Sequence, residues 1–480
     1  MKMNNKSDVY HNFNQVTNAG VILINLVLFK WAGEGFSKNI ALLNLSFTYY
    51  TLVAILMLPV GKPIIYRIFS LNFLFVLGTY ATLLLPYQLF LFSKINLSES
   101  RFLRLKTFEN QSNRAIIIAT LCIAVFQFAY QNNSKKKPIK LVSVNVSSSR
   151  FLSLEKFIAL ALLILLLIYL KLDIKSLSET RYLSASSSSL ISEGIYFILA
   201  FFSMINFCLL FVSKFYQNSV SLILKLGCLI SFFWEFRVLL VGDRNTFFLI
   251  LLLQFVGYIY FYKRISIFLL LVLLISSFYL YLAVENNRMS PTKSILGNIL
   301  PQNAFKGISI SSWETSLNIT AISLRATLDL VPAKLDYSFG LFKLIGVLGI
   351  FPFSRGFVLP KNLEATDTSQ LISQNVIGTR SLWQIGTSLI GDCYIDFGVL
   401  GVLGFGYLIG YYAKKIQTNF ELDPTPLNIS LFLFSSTIAI QYSRYTFDFP
   451  IRFIVWSILL FKFFDSSLFI KPIRNSKKLE

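Results

Sequence analysis

The chain has 480 residues, 55% of them hydrophobic and 14% charged, with a mean hydropathy of +0.64. A soluble domain carries about 25% charged residues and a single aqueous core stops growing near roughly 250–300 residues, so the composition excludes a soluble protein and points to a polytopic membrane protein. Lys and Arg number 44 against 23 Asp and Glu, a net +21; because they are scattered between apolar runs, nucleic acid is not expected as a partner, and membrane lipids and an anionic substrate are left to account for the excess.

The polar start MKMNNKSDVYHNFNQVTNAG leads into VILINLVLF without a small-residue cleavage pattern, so an uncleaved first span is expected. It holds the only histidine, His11, which leaves no basis for His-ligated metal or His acid/base chemistry; no metal and no cofactor are expected. Apolar windows near bilayer length fall at 17–34, 40–60, 70–92, 114–131, 154–173, 194–212, 219–239, 245–262, 265–284, 392–413, 427–443 and 449–467. They predict an all-α polytopic membrane helix bundle of about 12 transmembrane helices. Cys122, Cys208 and Cys228 sit inside apolar stretches and Cys393 at the start of a later span, which reads as packing and not as a disulfide framework.

Lysines and arginines of the short loops set the orientation. Lys135, Lys136, Lys137, Lys140, Lys156, Lys214, Lys263, Arg264, Lys414, Lys415 and the tail Lys471, Arg474, Lys477 and Lys478 share one side, predicted to be cytoplasmic with both termini, in the cytoplasmic membrane. Lys94, Arg101, Arg104 and Lys106 break the alternation, so a span near 90–115 is expected to be half-inserted or miscounted. Three blocks follow: nine spans in 1–284, a large outward loop in 285–390, and three spans with a tail in 391–480.

A second outward loop, about 173–193, carries Arg181 and the flexible run SASSSS. The large loop far exceeds a usual connection and is expected to be functional. Within it SSWETSLNITAISLRATLDLV places Trp313, Leu317, Ile319, Leu324 and Leu328 near one side at helical spacing, an amphipathic helix that either lies at the membrane surface or packs on the bundle.

Arginines recur on the outward side: Arg181, Arg237, Arg244, Arg325, Arg355, Arg380, Arg444 and Arg452. Each alone also reads as a snorkelling or salt-bridged residue. Together they suggest a polyprenyl pyrophosphate ligand, whose oxygens a guanidinium meets with paired hydrogen bonds. The segment GTRSLWQIGTSLIGDCYIDFGVLGVLGFGYLIGYY runs through Arg380, Gly386, Gly391 and Asp392 into a span holding Asp396, Gly398, Gly401, Gly404, Gly406 and Gly410. Asp392 and Asp396 share a helical face. Asp392 can be an N-cap; Asp396, one turn into the span, calls for a cavity or a partner. The glycines admit a close helix neighbour or a groove for a lipid chain.

The run from Gly378 to Gly410, Arg244 in VGDRNTFFLILLL, the late outward loop and Arg444 in QYSRYTFDFP together resemble the O-antigen polymerases, the Wzy-type oligosaccharide repeat unit polymerases. Arg380 and Gly391 fit the Arg, ten residues, Gly pattern of such periplasmic loops, whereas the position that would match around Arg181 is Ser192. The resemblance implies a membrane glycosyltransferase that moves a growing glycan from undecaprenyl pyrophosphate to a newly flipped lipid-linked repeat unit, for O-antigen or another surface polysaccharide. It implies a flippase and a chain-length regulator as partners. Arg181, Arg244, Arg325, Arg380 and Arg444 would then bind the pyrophosphate, and with no histidine in reach Glu314, Asp392 or Asp396 would serve as base. Gly386, Gly391 and Gly398 would shape the groove. The rivals are a lipid-linked oligosaccharide flippase, against which the large loop counts, and a ligase-like transferase, whose family is expected to use a loop histidine that this chain lacks.

Overall fold

A computed structural model describes residues 4–57, 63–97, 107–132, 148–172, 190–216, 219–240, 244–262, 272, 276, 310–351, 365, 367–378 and 385–464. Among these residues all regular structure is helical. Seven helices are long and apolar enough to cross a membrane: Asn12–Trp31, Lys38–Met57, Leu71–Leu91, Glu109–Asn132, Phe151–Leu172, Gly194–Phe215 and Leu389–Leu422. The chain is thus an all-α polytopic membrane protein, with seven such helices described against about twelve expected. Helices Leu222–Leu240, Arg244–Phe261, Pro426–Ala439 and Asp448–Phe464 also lie in the windows at 219–239, 245–262, 427–443 and 449–467; residues 465–467 and all but two residues of the window at 265–284 lie outside the described residues.

Two compact units form, and among the described residues unit 1 draws on all three sequence blocks and unit 2 on the first and the last. Unit 1 comprises 1–136, 309–417 and 438–452. It contains α1 (Asn4–Trp31), α2 (Lys38–Met57), the short α3 (Ile64–Ile68), α4 (Leu71–Thr79), α5 (Leu85–Leu91) and α6 (Ser112–Asn132). Later come α11 (Ile310–Leu330), α12 (Leu341–Gly349), α13 (Thr368–Val376) and most of α14 (Leu389–Leu422).

Helix α6 is apolar all round, the pattern of a core helix, and Ala115 to Phe126 are buried. Gly35, at φ 96°, turns the chain between α1 and α2; its N–H donates to Asn110 O at 2.8 Å, and Asn113 Oδ1 accepts Ser37 N at 2.7 Å. Asn113, one residue into α6, thereby ties that turn down. Gly78 on α4 meets the chain after the penultimate helix so closely that a Cβ would stand 2.0 Å from Ile440 O.

Between α4 and α5 the helix widens into a π turn, Tyr80–Leu84. Pro86 follows it, and a proline both lacks the N–H for the preceding turn and crowds it. Helix α11 is buried on nearly every side from Asn318 to Val331, only Ile319 and Asp329 being half-buried. Over that stretch the packed alternative holds and a helix lying on the membrane surface does not: Asn318, Ser323, Arg325 and Thr327 are as buried as the apolar residues.

Unit 2 comprises 137–308, 418–437 and 453–480. Here α8 (Leu190–Phe215) packs against α7 (Ser148–Leu172), α9 (Leu222–Leu240) and α10 (Arg244–Phe261). Glycines set the spacing: a Cβ at Gly257 would stand 2.1 Å from the Phe211 ring. Phe432 of α15 (Pro426–Ala439) stacks on Phe420 at 4.2 Å. The last helix, α16 (Asp448–Phe464), begins among the residues of unit 1 and continues into those of unit 2.

A candidate ion-pair site at a broken helix

Helix α14 begins with a cap and breaks two turns later. Ser388 Oγ accepts Gly391 N at 2.9 Å, so the cap is serine and not Asp392. The α14 backbone then leaves helical geometry at Phe397 (φ −139°, ψ 17°) and Gly398 (φ 61°, ψ −143°). The left-handed φ calls for glycine, and a Cβ at Gly398 would also stand 3.0 Å from Tyr337 Oη. The interruption frees main-chain acceptors at once used by another segment: Ile395 O takes Ser338 N at 3.0 Å and Asp396 O takes Phe339 N at 3.1 Å. Phe339 and Gly340, at φ 47° and 87°, turn that segment into α12.

The first turn of α12 carries Lys343 into this corner. Its Nζ lies 2.7 Å from Asp392 Oδ2, 2.8 Å from Asp396 Oδ2 and 3.0 Å from Asp392 O. The Asp396 contact lies off the hydrogen-bond direction and is ionic. Phe405 and Phe447 flank the ammonium, their ring centres 5.5 and 5.7 Å away. Asp392 also accepts from Thr368 Oγ1 at 2.8 Å and Phe447 N at 2.9 Å, and Asp396 accepts from the Ser338 hydroxyl. Asp396 is 0% exposed, Asp392 3% and Lys343 9%. Burial alone would lower the Lys343 pKa, but the facing carboxylates outweigh it and the net direction is upward. The set is therefore a closed cluster in which one cation meets two carboxylates. The partner that Asp396 required is a lysine.

An apolar pocket of about 360 Å³ lies against the break, walled by Tyr337, Phe339, Phe397, Leu400, Phe405 and Leu408. Gly404 also lines it and has no atom within 4 Å of where a Cβ would stand. Two other glycines serve close approach: a Cβ at Gly410 would stand 2.3 Å from Phe126 O on α6, and one at Gly391 3.1 Å from Thr327 Oγ1 on α11. Gly386 has φ 80°, and its carbonyl accepts from Ser323 Oγ at 2.9 Å.

The expected cations part company. Arg325 is 0% exposed, with Nη2 3.4 Å from Asn318 Oδ1, Nη1 3.5 Å from Ser112 Oγ and the guanidinium 5.9 Å from the Tyr87 ring centre. Burial pushes its pKa down, and the arrangement closes it off from any open surface. Arg444 is half-buried on the 3-10 turn Tyr442–Arg444, and its side chain makes no hydrogen bond or ion pair to a described residue. Arg452 pairs with Asp448 at 3.3 Å, and Arg237 in unit 2 lies 4.6 Å over the Tyr169 ring. Arg181, Arg355 and Arg380 lie outside the described residues, as do the side chains of Arg244 and Glu314. Among the described residues no group of three or more His, Cys, Asp or Glu can hold a metal ion.

Sequence reasoning missed Lys343, Ser338 and Thr368. A lone lysine in LFKLIGVLG was the available signal for the first, since a cation amid apolar residues implies a buried counter-charge. The two hydroxyls left none.

A protein-family model described as O-antigen polysaccharide polymerase Wzy matches residues 16–471. No curated protein and no solved structure matches the chain.

Proposed function

Because the chain belongs to the O-antigen polysaccharide polymerase Wzy family, we propose that it joins lipid-linked oligosaccharide repeat units into a surface polysaccharide, moving the growing glycan from undecaprenyl pyrophosphate to a hydroxyl of the incoming unit on the outward face of the cytoplasmic membrane. The observation that carries this reading is the extent of the family match, nearly the whole chain.

The leaving pyrophosphate needs cations, the acceptor hydroxyl needs a proton acceptor, and both lipids need a lateral path. In this reading Arg444 supplies one cation, because its guanidinium is half-buried and joined to no described carboxylate. Arg181, Arg244 and Arg380 are the further candidates. The Asp392–Lys343–Asp396 cluster acts as a framework that fixes the break in α14 and the pocket beside it. Neither carboxylate is open to an acceptor in this arrangement, so pyrophosphate departure drives the transfer, and a base, where one acts, comes from elsewhere, with Glu314 the remaining candidate.

The test is the product ladder of cells that carry Asp396→Asn in place of the native chain. The substitution keeps shape and removes a charge that Lys343 faces, so the long ladder is expected to vanish while a single repeat unit still reaches its final acceptor. Loss of the single unit too, with the protein normally inserted, would mean that the chain transports repeat units and does not polymerise them.

A further inference from the structure

Tyr49 on α2, Tyr80 at the head of the π turn and Gln88 on α5 converge in unit 1. The hydroxyls of Tyr49 and Tyr80 lie 2.9 Å apart. Both donate to Gln88 Oε1, Tyr49 at 2.5 Å. The two phenolic hydrogens serve these three contacts, one of them shared, so the cluster still offers hydroxyl lone pairs as acceptors and the Gln88 NH₂ as donor, and no described residue bonds that NH₂. The rings stand 5.5 Å apart, tilted by 55°.

Tyr49 is 39% exposed, and Tyr80 and Gln88 are half-buried. All three belong to apolar, span-length segments, Lys38–Met57 and Leu71–Leu91, with both tyrosines near the middle. Gln88 lies three residues before Leu91, the end of its segment, and its side chain turns to the mid-segment tyrosines; an accessible amide at that level faces something that hydrogen-bonds, since hydrocarbon satisfies none. The π turn re-aims Tyr80 out of the regular helical register, a distortion that recurs at functional sites.

We infer that this cluster is a saccharide-binding subsite. It contains no charged group, which disfavours phosphate. It joins two apolar ring faces to mixed donors and acceptors, and a sugar ring presents the complement, a C–H face with hydroxyls at its edge. The identity of the sugar, a residue of the repeat-unit glycan, rests on the polymerase reading; the chemistry of the site does not. Thr82, two residues after Tyr80, bonds Ser443 at 2.7 Å, so the π turn is fastened to the connector that carries Arg444 and, through Phe447 N, reaches Asp392.

The experiment measures binding of the oligosaccharide released by mild acid from lipid-linked repeat units, free of lipid and pyrophosphate, to the purified full chain in detergent. Gln88→Leu is expected to raise Kd about tenfold and Tyr49→Phe about threefold, the worth of the hydrogen bonds removed. No binding by the native chain would overturn the subsite. So would an unchanged Kd in Gln88→Leu with a lowered melting temperature, the mark of a tie between helices, and if that variant does not fold, Tyr49→Phe decides by the same criterion. A native chain that binds the oligosaccharide yet builds no polymer would retire the polymerase reading and keep the subsite.

Discussion

In unit 1 a buried lysine on α12 meets two carboxylates of α14, whereas in unit 2 the carboxylates of Glu155 and Glu235 accept hydrogen bonds from the neutral donors Ser221 and Gln254. A neutral donor gives a carboxylate a place without demanding that it stay charged. An ion set demands every member, because removing one strands the others away from water. Unit 1 therefore holds its geometry with charge, at the point where a helix is broken and a pocket opens.

The largest effect expected follows directly. Lys343→Met should cost about 3–5 kcal/mol, since two buried carboxylates lose their cation, while Glu235→Gln in unit 2 should cost less than about 1 kcal/mol, an amide being able to replace a hydrogen-bonded carboxylate there. Denaturant unfolding in detergent measures both, and equal losses would erase the distinction between the units. Adding Asp392→Asn and Asp396→Asn to Lys343→Met should recover much of the loss; recovery would mark the cost as electrostatic, and its absence would assign it to packing.

A smaller contrast lies within unit 1, between two of its glycines. Gly78→Ala forces a Cβ to 2.0 Å from Ile440 O, backbone that cannot step aside, and should cost about 1–3 kcal/mol. Gly404→Ala enters open space in a helix and should stabilise by about 0.5–1 kcal/mol. Thermal unfolding of the two variants side by side tests whether the glycines of this unit differ in role.

The smallest effect sits at the surface. Lys334 pairs with Asp329 at 2.6 Å but is 60% exposed, so Lys334→Ala should cost only about 0.5 kcal/mol. Partial burial raises the Asp329 pKa, the hydrogen bonds from Lys334 and Asn110 outweigh it, and the net direction is downward. A carboxyl held below its unfolded pKa adds stability at neutral pH that disappears as pH falls through its folded value. The variant should accordingly differ from the parent at pH 7 and converge with it in acid; a gap that widens in acid would reverse the assignment.

Much of the architecture was legible because lipid leaves few options: runs such as FIALALLILLLIYL spell helices whatever surrounds them, and α7 follows that run. Asp396 was legible for the same reason, as a carboxylate too costly to be idle. Its partner was not, because Lys343 lies 53 residues earlier (396 − 343) in a stretch that reads as loop, and nothing local tells which buried charge answers which. Asp392 misled through proximity to the helix start: its spacing suits a cap, but Ser388 stands closer to the end and takes that role. The amphipathic pattern in α11 was real, yet periodicity cannot say that its polar face would be covered as well. The π turn has only Pro86 to announce it, and a proline predicts a disturbance without its form.

The interruption at Phe397 and Gly398 also carries an order of events. In an unbroken helix the carbonyls of Ile395 and Asp396 would be taken by N–H groups four residues later, in the same stretch of chain. Here their donors are Ser338 and Phe339, synthesised well before the acceptors leave the ribosome. This part of the chain does not close on itself: the bend of the later span is completed by main-chain donors of an earlier segment, and that segment's lysine is in turn held by the span's own carboxylates.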